Sequence, residues 1–229
     1  MSDSQLSRSE LIRLVATRLL ALILVLLAMF FLPAGTFRYW EAWLYLAILL
    51  IPMLLVLAYL LKNDPELLVR RLKMREREAE QRLIIKLSYF YFLITFLLPG
   101  FDRRFGWSEV PGVVVVLADV VVLLGYGMFF LVIRENRYAS RIIEVAPEQQ
   151  VISSGPYALV RHPMYLGVML MYVFSPLALG SYWAMIPAIG IIPLLVARIR
   201  NEESVLAREL TGYSDYIQKT RYRLIPGIW

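Results

Sequence analysis

Residues 164–197 read MYLGVMLMYVFSPLALGSYWAMIPAIGIIPLLVA, a run of 34 residues without one charged side chain. The stretch leading into it, GPYALVRHPMY over 155–165, is polar and turn-forming, and residues 198–203 after it are polar again. A single helix of that length would overshoot a hydrocarbon core about 30 Å thick. Pro176, Gly180 and Pro187 interrupt the run, and a break over 175–181 leaves two arms of about 16 residues each. We read a tight helical hairpin whose arms are short for a full crossing. Such a hairpin returns its two polar flanks to one face of a membrane. A site between those flanks suits a charged cofactor and an apolar substrate.

The rest of the chain fits a membrane fold. Of 229 residues, 59% are hydrophobic and 18% charged, with mean hydropathy +0.63, whereas about a quarter of the residues of a soluble domain are charged. The apolar residues fall in blocks. Spans are read at 11–32, 42–61, 83–99 and 113–133, each within the roughly 17–25 residues that a crossing helix needs. Arg13 and Arg18 can snorkel from the first span to the headgroups. Trp40, Trp43 and Tyr45 stand where an interfacial aromatic belt would, and Pro52 is expected to kink the second span. The first apolar block, 19–32, lacks a small-residue cleavage site and reads as a retained span. Residues 102–104 read as a loop.

Between the second and third spans, 62–82 alternates Arg70, Arg71, Lys73, Arg75 and Arg77 with Glu66, Glu76, Glu78 and Glu80. That spacing fits a solvated or interfacial helix. A plain linker and a role toward substrate or lipid headgroups both remain open. Asp119 lies inside the fourth span, a functional candidate by position or a hydrated or capped structural carboxylate near the loop. Residues 134–162 form a polar connection, and the tail from 200 to 229 is polar and helical in its first half. The fold class is therefore an all-α integral membrane protein: four transmembrane helices, a C-terminal helical hairpin and a cytoplasmic C-terminal helix. It divides into 1–133, the spans, and 134–229, the region that carries the chemistry.

Charge sets the orientation. Segments 62–82, 134–163 and 198–229 hold seventeen Lys and Arg residues, while 33–40 and 100–111 hold only Arg38, Arg103 and Arg104. The three basic segments should face the cytoplasm, with both termini on that side. The net charge of +6 belongs to this bias rather than to nucleic-acid binding, because no basic run with interleaved aromatics lies outside the apolar blocks. With no cysteine and one histidine, disulfides, thiolate or histidine-rich metal sites and a cysteine nucleophile are excluded; no metal is expected.

Gly155-Pro156 signals a turn, and Pro163 fits the first position of a helix. His162, the single histidine, then sits at or just before an N-cap, where an anion is favoured. A lipid-facing cap and a ligand site are both consistent with it. Arg198 and Glu202 share a helix face four residues apart, as a simple ion pair or as part of that site. The helix should stop near Gly212. Tyr213, Tyr216 and Tyr222, with the ending RYRLIPGIW, could pack around an adenine ring or anchor the tail at the interface.

GPYALVRHPMYLG, an apolar hairpin, ARIRNEESVL, GYSDY and RYRLIPGIW occur here in one order and spacing. In this the chain resembles the isoprenylcysteine carboxyl methyltransferase family in its prokaryotic form, over about the last 90 residues. The resemblance implies S-adenosylmethionine as cofactor, in contact with Gln149, Gln150, Val151 and Ile152, then Tyr157, then His162, Pro163, Met164 and Tyr165. Glu202 matches the family's acidic cofactor-binding residue, and Arg198 the arginine beside the acceptor carboxylate. Arg161 or a helix N-terminus would hold the cofactor's own carboxylate. The implied reaction is methylation of a carboxylate on an isoprenylcysteine-like lipophilic acceptor, a small molecule or a prenylated partner, in contact with membrane lipids and without nucleic acid. An NADPH-dependent reductase of the sterol reductase type has a similar ending. However, such reductases carry Asn before the Tyr where this chain has Met164-Tyr165, and Arg-Asp at the position of Asn201-Glu202-Glu203. A thiol or a phospholipid amine are the other acceptors such a methyltransferase could take.

Overall fold

Ser7 starts the first helix with a reciprocal cap: its hydroxyl accepts from the Glu10 N–H at 3.3 Å, and Glu10 accepts from the Ser7 N–H at 2.8 Å. Helix α1, Arg8–Ala34, then runs until Gly35 turns the chain in the left-handed region at φ +64°. Three more long apolar helices follow: α2, Trp40–Asn63; α4, Ala79–Phe105; and α5, Gly112–Glu135. All four are long and apolar enough to cross a membrane. Between α2 and α4, Asp64 accepts from the Leu67 N–H at 2.9 Å and starts the short α3, Pro65–Leu72. These elements belong to a computed structural model that describes residues 7–72, 79–139, 145–146 and 148–229, apart from the side chains of 79–82 and 84. The alternating charges expected over 73–78, and residues 140–144 and 147 of the polar connection, lie outside the described residues. Among the described residues there is no strand, and the protein is an all-helical integral membrane protein.

The hairpin consists of α6, Pro163–Ala178, a turn over 179–184, the short α7, Met185–Ile189, and α8, Ile191–Glu209. Helices α5 and α6 pack antiparallel and very close. A Cβ placed on Gly125 would lie 2.7 Å from the Gly167 carbonyl, and one on Gly167 would lie 2.8 Å from the Gly125 carbonyl. Small residues are what allow helix backbones to approach this way in lipid. At one end, Leu11, Val15, Val56, Leu60, Leu67 and Ile133 form a buried cluster that joins α1, α2, α3 and α5. Arg18 also donates to the Leu72 carbonyl there, at 2.7 Å. This is the site end. At the far end, Phe30, Tyr39, Tyr45, Phe96 and Leu179 lie in a second buried cluster.

Three sequence expectations need correction. Residues 102–104 are not a loop. Helix α4 continues to Phe105, and Asp102 is buried, accepting from the Ser108 N–H and hydroxyl, both at 2.7 Å, and from the Ser181 hydroxyl. The hairpin does not stop short of the far end. Its tip is tied there: Tyr39 donates to the Leu179 carbonyl and the Tyr182 N–H donates to Ser108. The break also falls at 179–184, because Pro176 is carried inside α6, as proline can be in a membrane helix whose neighbours satisfy the freed groups. Asp119, left open above, is buried in α5, and among the described residues neither of its oxygens has a hydrogen-bond partner.

The glycine pair makes a direct prediction. Gly167→Val forces a side chain into the Gly125 backbone and should destabilise the fold by about 1–3 kcal/mol. Chemical denaturation in detergent micelles should show a lower midpoint, and an unchanged midpoint would refute the close packing.

Candidate functional site

The site forms where the chain crosses itself twice. Gly155, at φ +56°, opens a 3₁₀ turn, Gly155–Ala158, whose α-carbon lies so close to Glu135 that a Cβ would sit 3.0 Å from that carboxyl carbon. Ser154 donates to the same carboxylate. The chain then runs beside the tail: the Arg161 N–H donates to the Tyr222 carbonyl at 2.9 Å, and the His162 N–H to the Arg223 carbonyl at 2.8 Å. Tyr216, on α9 (Tyr213–Lys219), donates to the Tyr157 carbonyl at 2.7 Å. Pro163 takes the first position of α6 and His162 the N-cap, although the imidazole does not cap the helix.

The imidazole turns instead to Glu203. His162 Nε2 lies 3.2 Å from Glu203 Oε1, Arg161 Nε donates to the same oxygen at 2.7 Å, and Arg223 Nε donates to Oε2 at 2.6 Å. Arg161 Nη1 also reaches the carbonyls of Thr220 and Arg221, at 2.8 and 2.7 Å. Arg161 and His162 are each 5% exposed and Glu203 7%. Burial alone would raise the Glu203 carboxyl, but the hydrogen bonds from His162, Arg161 and Arg223 outweigh it and lower it to about 2. Sequence reasoning noted Glu203 only as a neighbour of Glu202.

Beside this knot is a cavity of about 400 Å³, within the roughly 300–1,000 Å³ usual for ligand pockets. Every residue that the resemblance set against cofactor or acceptor lines it. Gln149, Gln150, Val151 and Ile152 form one wall, with Tyr157 next to them. Arg161, His162, Pro163, Met164 and Tyr165 form the second, and Arg198 and Glu202 face them from α8. Arg198 and Glu202 are joined through a third residue: Arg198 Nε donates to the Tyr165 hydroxyl at 2.9 Å, and that hydroxyl donates to Glu202 Oε2 at 2.6 Å. This seam divides the cavity. On one side are the polar walls. On the other, Val168 and Tyr172 follow Tyr165 on α6, Leu195 and Ile191 precede Arg198 on α8, and Phe92 of α4 joins them as an apolar chamber.

Other lining residues were not foreseen. Asn136 donates to the Tyr157 hydroxyl at 2.9 Å and carries no sequence signal of its own. Arg71 lines the cavity from α3, within the stretch whose alternating charges left linker and ligand roles open. Of the three tail tyrosines, Tyr213 and Tyr216 line the cavity and Tyr222 does not. Burial holds the phenols of Tyr157 and Tyr213 above the ordinary tyrosine range and pushes that of Tyr216 up to about 12, so all three remain hydrogen-bond donors at neutral pH.

Residues 115–208 match the family model described as Isoprenylcysteine carboxyl methyltransferase (ICMT) family. The match covers nearly all of α5, the turn, the hairpin and α8, and leaves α1–α4 and the tail outside it. No curated protein matches the chain.

Glu203 sets an acid limb. Its carboxyl ordinarily titrates at 4.5 and here at about 2, so between those values the unfolded chain binds more protons than the native one. Its contribution to stability is therefore complete above about pH 4.5 and lost as pH falls through about 2. Glu203→Gln leaves buried cations short of a partner and should cost about 3–5 kcal/mol. Denaturant unfolding against pH should show the variant less stable at neutral pH and flatter over that limb.

Proposed function

From the match of residues 115–208 to the isoprenylcysteine carboxyl methyltransferase family, we propose that this protein is a membrane methyltransferase that uses S-adenosylmethionine to methylate a carboxylate of an isoprenylcysteine-like lipophilic acceptor. The observation that carries the reading is the seam, where Arg198, Tyr165 and Glu202 meet between a polar and an apolar half of one cavity.

The polar half fits the methyl donor by its chemistry. S-adenosylmethionine carries an adenine ring, an ammonium and a carboxylate. Glu202 offers an anion to the ammonium. Tyr157, Tyr213 and the 149–152 segment offer aromatic and apolar walls to the ring. When bound, S-adenosylmethionine would supply a methyl group that passes from its sulfonium to a carboxylate oxygen, the O–C bond forming as the S–C bond breaks and the sulfur leaving as the thioether of S-adenosylhomocysteine.

The chain's own part is positioning. An acceptor carboxylate is already ionised at neutral pH, so no general base is needed. Arg198 holds that carboxylate at the seam by charge-assisted hydrogen bonds, and the Tyr165 hydroxyl fixes Arg198 relative to Glu202. Bringing acceptor and donor together in one orientation supplies most of the acceleration. The apolar chamber takes the acceptor's tail and keeps water from the reacting atoms. His162, turned toward Glu203, is a wall of the donor half. The basic bias of 62–82, 134–163 and 198–229 supports a cytoplasmic site end, with both termini on that side.

Glu202→Ala should weaken S-adenosylmethionine binding by about ten- to a hundredfold, the worth of one charged hydrogen bond, with the unfolding midpoint preserved. Unchanged affinity in calorimetry would remove Glu202 from the donor site, and NADPH bound in its place would turn the reading to a reductase. Arg198→Ala should reduce turnover of prenylcysteine carboxylates while sparing donor affinity. In a labelled-methyl screen across prenylcysteine analogues, thiols and amine lipids, equal turnover of carboxylates by the variant and the unaltered protein would exclude a carboxylate acceptor.

A further inference from the structure

Among the described residues, three guanidinium groups line the cavity: Arg71, Arg161 and Arg198. The proposed reaction brings two carboxylates to them, one on the donor and one on the acceptor. Arg161 is directed away from both. Its Nε is on Glu203 and its Nη1 on two tail carbonyls, with the whole residue 5% exposed. Arg198 stands at the seam, against the chamber that takes the acceptor. The third, Arg71, stands beside Met164 in the first turn of α6.

Its placement is built rather than incidental. Leu67 and Leu68, 1% and 2% exposed, anchor α3, and Asp64 caps it, so a docked helix delivers the side chain. Arg71 Nη1 donates to the Ala139 carbonyl at 2.8 Å and approaches Met164 Sδ at 3.7 Å, while Cζ lies 4.7 Å over the Phe129 ring. A guanidinium tolerates such an aromatic face because it is planar and weakly hydrated. Ala139 follows Asn136, which holds the Tyr157 hydroxyl, and Met164 stands between Pro163 and Tyr165 in the first turn of α6. Both contacts therefore fix Arg71 beside the walls that the donor occupies in the reading above.

We infer that Arg71 binds the α-carboxylate of the methyl donor. The inference rests on the donor reading of the cavity. It also gives α3, which lies outside the matched residues 115–208, a direct part in the site.

Calorimetry on the full chain in detergent tests it with two probes, S-adenosylhomocysteine and its decarboxylated counterpart. The unaltered protein should prefer S-adenosylhomocysteine, and Arg71→Gln should weaken that ligand by about ten- to a hundredfold while leaving the decarboxylated probe unchanged. A variant that weakens both probes alike, or neither, overturns the assignment, as does an unaltered protein that binds both equally. If Arg71→Gln does not fold, Arg71→Lys decides: selective loss of S-adenosylhomocysteine supports the assignment, and parallel behaviour of the two probes overturns it. An unaltered protein that binds neither probe overturns the donor reading itself, and this assignment with it.

Discussion

Glu203 gathers Arg161, His162 and Arg223 onto its two oxygens, and the site end depends on that one carboxylate. The three partners come from the turn before the hairpin and from the tail, while Glu203 belongs to the hairpin's second arm. A buried charge is tolerated only when paired, so none of these segments can move off without leaving a charge in an apolar surrounding. The tail is bound twice over, since Arg161 and His162 also donate their backbone N–H groups to the carbonyls of Tyr222 and Arg223. The knot lies beside the cavity and holds its walls in place. At the opposite end Asp102 acts in the same manner, collecting Ser108 and Ser181 to tie the hairpin tip to α4. Each end of the hairpin is thus pinned by one buried acid.

Much of this was legible in the chain, for identifiable reasons. Spans announce themselves because a crossing helix needs about 20 apolar residues, which soluble folds rarely supply. The two polar flanks of 164–197 had to meet if that run doubled back, and they do. What escaped notice was long-range. The charges at 102–104 look like a loop until Ser181, 79 residues on, satisfies Asp102 inside a helix. Glu202 and Glu203 are indistinguishable as neighbours in a string. On a helix they point about 100° apart, so one reaches Tyr165 at the cavity and the other reaches Arg161. Arg71 lay in a charge-rich stretch where a ligand role was open but nothing set it apart from its neighbours.

Adjacent acids with separate duties also explain why this site can be both firm and adaptable. The Glu203 side is closed and fully engaged. The Glu202 side opens on the cavity, where the carboxylate accepts from the Tyr165 hydroxyl, a side-chain contact that pins no backbone segment.

The close contact of Gly125 with Gly167 fixes one more property, a matter of depth. Helix α6 begins at Pro163, four residues before Gly167, so in an antiparallel pair its start is level with Phe129 on α5. Helix α5 continues to Glu135, about six further residues or about 9 Å. The first turn of α6, with Met164 and Tyr165, is therefore sunk below the end of its neighbour, as the floor of a well. At that depth the effective dielectric is far from that of water, and two opposite charges 4 Å apart attract by about 4 kcal/mol rather than about 1. A molecule must bring its polar end down to that level to be bound there.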